Sequence, residues 1–99
     1  SLSVAHCPGV TDAFVCRLVD KCGLLRMLDT SWCPLVSDEF LRHLQRSLKS
    51  AELLCLLRLF GCPSVTGAAV HAVGQARPTL KIAAAVNNET EWAFYPAIN

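Results

Sequence analysis

No apolar run in the 99-residue chain approaches the roughly 18 residues that a membrane-spanning helix needs, so we expect no direct membrane insertion. Neither charge is in clear excess, because nine Lys and Arg face eight Asp and Glu and leave a formal net charge of +1. This balance gives no electrostatic reason to expect nucleic acid as a partner. Residues 1–4 lack the charged and apolar regions of a signal or transit peptide.

Features of a metal site or an active site are also scarce. The six cysteines include no Cys-x-x-Cys pair, and structural zinc needs four converging ligands. His6 adjoins Cys7, but neighbouring residues of a strand point to opposite faces, so the pair is a poor candidate for a Cys–His nucleophile. We therefore expect no metal, no cofactor and no enzymatic activity.

The chain does contain a motif, Cys-Pro-x-Val-Ser/Thr, that occurs three times. Its copies begin at Cys7, Cys33 and Cys62, which are 26 and 29 residues apart. Leu25 and Leu28 precede Cys33, and residues at the same offsets precede Cys62 and Asn88. The equivalent residues are Leu54 and Leu57 before Cys62, and Leu80 and Ala83 before Asn88. Leu59 and Ala85 occupy one further position, three residues before Cys62 and Asn88. Repeats of this length predict stacked strand–helix units within one domain.

Each repeat predicts a short strand followed by a helix. Apolar residues two apart lie on one face of a strand, and the proline after each cysteine ends the strand ladder. A small side chain with hydrogen-bonding capacity suits the bend, because turning backbone needs partners. We therefore assign one structural slot to Cys7, Cys33, Cys62 and Asn88, and we expect the cysteines to be reduced thiols. The predicted strands are 2–5, 26–30, 55–59 and 81–86, and the predicted helices are 12–21, 38–50 and 67–76, starting after Thr11, Ser37 and Thr66.

These motifs resemble the cysteine-containing class of leucine-rich repeats, best known from F-box substrate adaptors. They are also similar to the small mitochondrial relatives, ATP synthase coupling factor B and the distal membrane-arm assembly component of complex I. The resemblance covers about residues 2–88. It implies an α/β fold, a short right-handed solenoid of about three and a half repeats with parallel strands on the concave face and helices on the convex face. Residues 89–99 would form a C-terminal tail or cap.

The concave face of such a solenoid commonly binds partners. The strand residues that alternate with the core positions are therefore our candidate partner-binding set: Met27, Asp29, Leu56, Arg58, Phe60, Ile82 and Val86. Neighbouring parallel strands would set Asp29 beside Arg58 and invite an ion pair. An exposed apolar cluster would mark an interaction site, unless the tail folds over it, and its members are Leu56, Phe60, Ile82 and Val86.

The resemblance implies a non-catalytic interaction module, an accessory or assembly subunit docked in a larger complex such as a mitochondrial respiratory or ATP synthase complex. The alternative is the substrate-recognition part of an F-box ubiquitin-ligase adaptor. Other protein subunits would bind the concave face and the N-terminal edge, where Leu2 and Val4 have no polar cap. Free thiols predict an intracellular, reducing compartment. The small relatives favour the matrix side of mitochondria, with cytoplasm or nucleus as the alternative.

Overall fold

In a computed structural model, residues 1–85 and 92–95 are described, and four parallel strands alternate with three helices. The elements in chain order are β1 (Leu2–Ser3), α1 (Asp12–Lys21), β2 (Met27–Asp29), α2 (Asp38–Arg46), β3 (Leu56–Arg58), α3 (Gly67–Ala76), β4 (Lys81–Ala85) and β5 (Trp92–Tyr95). The sheet has the order β1-β2-β3-β4-β5. The predicted α/β class is therefore confirmed. No helix within the described ranges is long and apolar enough to cross a membrane.

The hydrophobic core lies between the sheet and the helices. Alternate strand residues Leu28, Leu57 and Ile82 are fully buried, and they join one cluster with buried residues of all three helices. The helix contribution includes Val15, Val19, Phe40, Leu41, Leu44, Val70 and Val73. The other face of the strands, which we call the outer sheet face, is therefore the one that can meet solvent or a partner.

The predicted register of the last parallel strand is wrong by one residue. Leu57 pairs with Ile82, not with Ala83, and Ile82 is completely buried. Ile82 therefore does not belong to the partner-binding face. In the predicted register, Ala83 would have taken the core position of Leu57, and Ile82 would have lain on the outer sheet face. The observed register buries the large Ile82 side chain and leaves Lys81 exposed, which avoids an unpaired buried cation.

The predicted helix starts are confirmed, because each helix begins after a side chain that caps it. Thr11, Ser37 and Thr66 have extended backbones and accept hydrogen bonds from amides of the first helical turn. The predicted end of the second helix at residue 50 is wrong, since α2 ends at Arg46 with Ser47 as its C-cap. Leu48, whose apolar side chain suggested a longer helix, is half exposed in the turn that follows.

The sheet continues beyond the last parallel strand. Trp92–Tyr95 form β5, which pairs antiparallel with β4 and covers its hydrogen-bonding edge. Strand β1, in contrast, has a hydrogen-bonded neighbour on one side within the described residues. The two edges of the parallel part of the sheet therefore differ.

Candidate functional site

The outer sheet face is organised in rows that run across the strands. One row pairs Met27 with Leu56 and Leu56 with Lys81. The next row contains Ser3, Asp29, Arg58 and Ala83. The structure therefore brings four predicted site residues, Met27, Asp29, Leu56 and Arg58, onto adjacent positions of two strands.

The expected ion pair between Asp29 and Arg58 is wrong, although their backbones are in register. The ion pairs among the described residues are Arg42–Glu39 and His43–Asp20. The Asp29 carboxylate instead accepts the backbone N–H of Ser31 at 2.9 Å, which closes the turn at the end of β2. The guanidinium of Arg58 is consequently available at the surface, where the side chain is exposed.

The outer sheet face combines apolar and cationic side chains. Met27, Leu56 and Phe60 are half-buried, while Arg58 and Lys81 are exposed. The predicted apolar cluster contained Ile82, which lies in the core, and Val86, which lies outside the described residues. The surface is therefore less apolar and more positively charged than the sequence predicted.

Two of the cysteines at the strand ends, Cys33 and Cys62, link successive repeats. The Cys33 thiol donates to the carbonyl oxygen of Val4 at 3.1 Å, and the Cys62 thiol donates to that of Thr30 at 3.2 Å. Val4 and Thr30 occupy equivalent positions, three residues before a cysteine. All six cysteines are free thiols. Burial raises the pKa of the Cys62 thiol, so the group stays protonated and can donate. Asn88 lies outside the described residues.

A second link between repeats was not predicted. The Asp12 carboxylate accepts both the backbone N–H and the hydroxyl of Ser37, the cap of the next helix. Asp38 holds Thr66 in the same way, with both distances 2.8 Å. The sequence suggested that these aspartates stabilise their own helix starts. The signal for the second role was the Ser/Thr-Asp pair at a constant position, which becomes Gly67 in the last helix.

The residue before each of the three motif cysteines has a left-handed backbone, with φ of 62° at His6, 61° at Trp32 and 67° at Gly61. The rings of His6 and Trp32 stack with centroids 6.0 Å apart and 14° between their planes. Trp32 in turn covers Gly61, because a Cβ there would lie 2.0 Å from Cε3 of the indole. This row was not predicted from the sequence, because its three members share a backbone conformation but no side-chain type.

Arg77 is a buried cation that the repeat pattern gives no reason to expect. Its side chain donates to the carbonyl oxygens of Leu44, Ser47, Ser50 and Ala51 at distances between 2.6 and 3.2 Å. Two of these carbonyls belong to the C-terminal end of α2, where the helix dipole favours a cation. Arg77 thereby organises the extra residues that lengthen the middle repeat. Burial lowers the pKa of its guanidinium.

The ends of α1 and α2 are joined by a polar cluster of Asp20, His43 and Ser50. Nε2 of His43 lies 2.8 Å from Oδ1 of Asp20, and the Ser50 hydroxyl donates to the same oxygen. The Ser50 hydroxyl bond, followed by the His43 bond, lowers the pKa of Asp20. A catalytic triad requires a histidine between serine and aspartate. Here the carboxylate takes that position, so the cluster does not activate a nucleophile.

Among the described residues, no group of three or more His, Cys, Asp or Glu side chains could hold a metal ion. The arrangements above are instead hydrogen bonds that fix one repeat against the next. A scan against protein-family models and a search of the curated proteins find no match to this chain.

Proposed function

We propose that this chain is a leucine-rich-repeat interaction module, in which a short solenoid presents its outer sheet face to another protein subunit. The thiol bonds of Cys33 and Cys62 and the carboxylate bonds of Asp12 and Asp38 support repeats that stack with a constant geometry. Groups that recur at equal positions and meet the previous repeat in the same way are typical of solenoid proteins.

The observation that carries the binding proposal is the combination of side chains on two neighbouring strands. Met27 and Leu56 form an apolar pair, and the exposed cations Arg58 and Lys81 lie beside it. Asp29 makes no ion pair with Arg58, and its carboxylate accepts the backbone N–H of Ser31 instead. We therefore expect a partner surface with an apolar side chain flanked by carboxylates, since such groups match both features of this face.

Site-specific crosslinking tests this proposal. A photoreactive amino acid replaces Leu56 in the full chain, and a second version carries it at Gln75 on the exposed side of α3. We expect the Leu56 version to give one adduct of defined mass in cell extract and the Gln75 version to give none of that mass. Arg58→Glu should abolish the adduct, and the control Arg17→Glu, with the same change in net charge, should leave it unchanged.

The proposal fails if both positions crosslink equally or if Arg58→Glu has no effect on the adduct. The crosslinked protein also decides between the two roles that the resemblance implies. A subunit of a respiratory or ATP synthase complex would support an accessory role, whereas a protein stabilised by proteasome inhibition would support a ubiquitin-ligase adaptor. We favour the accessory role by analogy with the small mitochondrial proteins that the repeat motifs resemble.

A further inference from the structure

The N-terminal edge, formed by β1 and α1, exposes residues that are buried in the other repeats. Leu2 is 37% exposed, whereas its strand partner Leu28 and the equivalent Leu57 are 0% exposed. Phe14 is 46% exposed, whereas Phe40, at the same distance from its cysteine, is 0% exposed. The internal positions lie between two neighbouring repeats, and the edge positions have one neighbour among the described residues. The edge is thus an apolar surface with the shape of a repeat interface.

The polar groups of the same edge are those that bind a preceding repeat elsewhere in the structure. Cys33 and Cys62 donate to carbonyl oxygens of the preceding strand segment, but Cys7 is exposed and its thiol reaches only Ala5, 3.7 Å away in its own turn. Ser37 and Thr66 each receive a carboxylate from the preceding helix. The corresponding cap, Thr11, has no carboxylate partner in the described part of the chain.

We propose that the N-terminal edge binds a strand–helix unit that carries an aspartate at the first position of its helix. The strand of this unit would extend the sheet at β1, its apolar face would cover Leu2 and Phe14, and its carboxylate would hold the N–H and hydroxyl of Thr11. The aspartate of the bound unit would accept the N–H and hydroxyl of Thr11 as Asp12 accepts those of Ser37. The inference deepens the proposed function, since it rests on the same stacking geometry.

A second copy of this chain does not fit as the bound unit. Both aspartates of the required type, Asp12 and Asp38, already hold the cap of their own next repeat. The last helix has Gly67 at this position, and β4 is paired with β5. A head-to-tail neighbour would therefore offer neither the carboxylate nor an open parallel strand. The fitting partner is a repeat of the same type with a different sequence at its end.

The test adds such a unit to the full chain. A duplicate of residues 1–26 is placed before Ser1, so that Ser1 follows the added arginine as Met27 follows Arg26. The matched control carries a scrambled block of the same composition. Val4 donates its N–H to the carbonyl oxygen of Asp29 in β2, so by strand alternation the N–H of Ser3 points toward the open side. We expect hydrogen exchange at Ser3, and alkylation of Cys7, to slow by about tenfold relative to the control.

The carboxylate is tested separately by replacing the added Asp12 with Asn in the duplicated block. We expect this variant to lose most of the protection at Cys7 and Ser3. Equal protection with Asn would overturn the role of the carboxylate, and an unprotected edge with the intact block would overturn the inference as a whole. These outcomes are independent of the Leu56 crosslink, so failure of the edge and failure of the outer sheet face are distinguishable.

Discussion

The Asp12 carboxylate holds Ser37 with two oxygens, accepting the backbone N–H at 2.8 Å and the hydroxyl at 2.5 Å. One residue thereby acts in two helices. It lies in the first turn of α1, where its negative charge interacts favourably with the positive end of the helix dipole, and it fixes the cap of α2. The helix layer is therefore tied together by its N-terminal ends as well as by its apolar contacts.

Asp12→Asn should reduce the free energy of unfolding by about 1–2 kcal/mol, because an amide cannot accept both bonds of Ser37 and carries no charge. Urea denaturation measures the change. The control is Glu39→Gln, which removes an exposed ion pair with Arg42 and should cost less than about 0.5 kcal/mol. Equal effects of the two substitutions would contradict a special role for Asp12.

Arg77→Ala should reduce the free energy of unfolding by about 3 kcal/mol, because carbonyl oxygens of the turn after α2 lose a buried charged donor. Arg77→Lys should recover little of this loss, since an ammonium group cannot reach four carbonyls as a planar guanidinium does. Urea denaturation gives the energies, and amide exchange of residues 47–51 should accelerate. Arg17→Lys, on the exposed face of α1, serves as the control and should be neutral.

The cluster at Asp20 predicts an acid-sensitive contribution to stability. The hydroxyl of Ser50 and the ring of His43 lower the pKa of the folded carboxyl group. The contribution is therefore complete above the ordinary aspartate pKa of about 3.9 and is lost as the pH falls through the lower folded value. Asp20→Asn should flatten this part of a stability profile measured from pH 7 to pH 2. A profile that keeps the same acid slope would count against the cluster.

Gly61→Ala should be strongly destabilising, by about 2 kcal/mol or more, because the site combines a positive φ with direct contact to the Trp32 ring. Gly9→Ala is the matched control, since no atom lies within 4 Å of an added Cβ there. In the background of Trp32→Ala, the cost of Gly61→Ala should fall to the part that arises from the backbone alone. A double-mutant cycle of urea midpoints separates the two contributions.

The order of strands and helices was predictable because each repeat has the same motif at the end of its strand and a capping residue at the start of its helix. Thr11, Ser37 and Thr66 are short-range signals, and their caps need no knowledge of the rest of the molecule. The sequence indicated that the residue at the bend needs hydrogen-bonding capacity, but not that the thiols of Cys33 and Cys62 bond to the preceding repeat.

What failed depends on contacts between distant parts of the chain. The register of β4 sets Ile82 beside Leu57 in the core, whereas the spacing from Asn88 suggested Ala83 for this position. The end of α2 is set by Arg77, which lies 31 positions after Arg46 and outside every repeat position we had assigned. The register sets Asp29 beside Arg58, but the structure shows that the Asp29 carboxylate bonds to the amide of Ser31 and makes no ion pair with Arg58.

The cysteines differ in exposure, so the rate at which each thiol is modified can be used to follow unfolding. Cys7 and Cys55 are open to reagents in the native state, whereas Cys33 is fully enclosed and burial raises the pKa of Cys62. A brief pulse of iodoacetamide should modify the first two sulfurs at once and reach Cys33 only when the sheet separates. Mass spectrometry of that one peptide would then follow global opening in intact cells, without any added label.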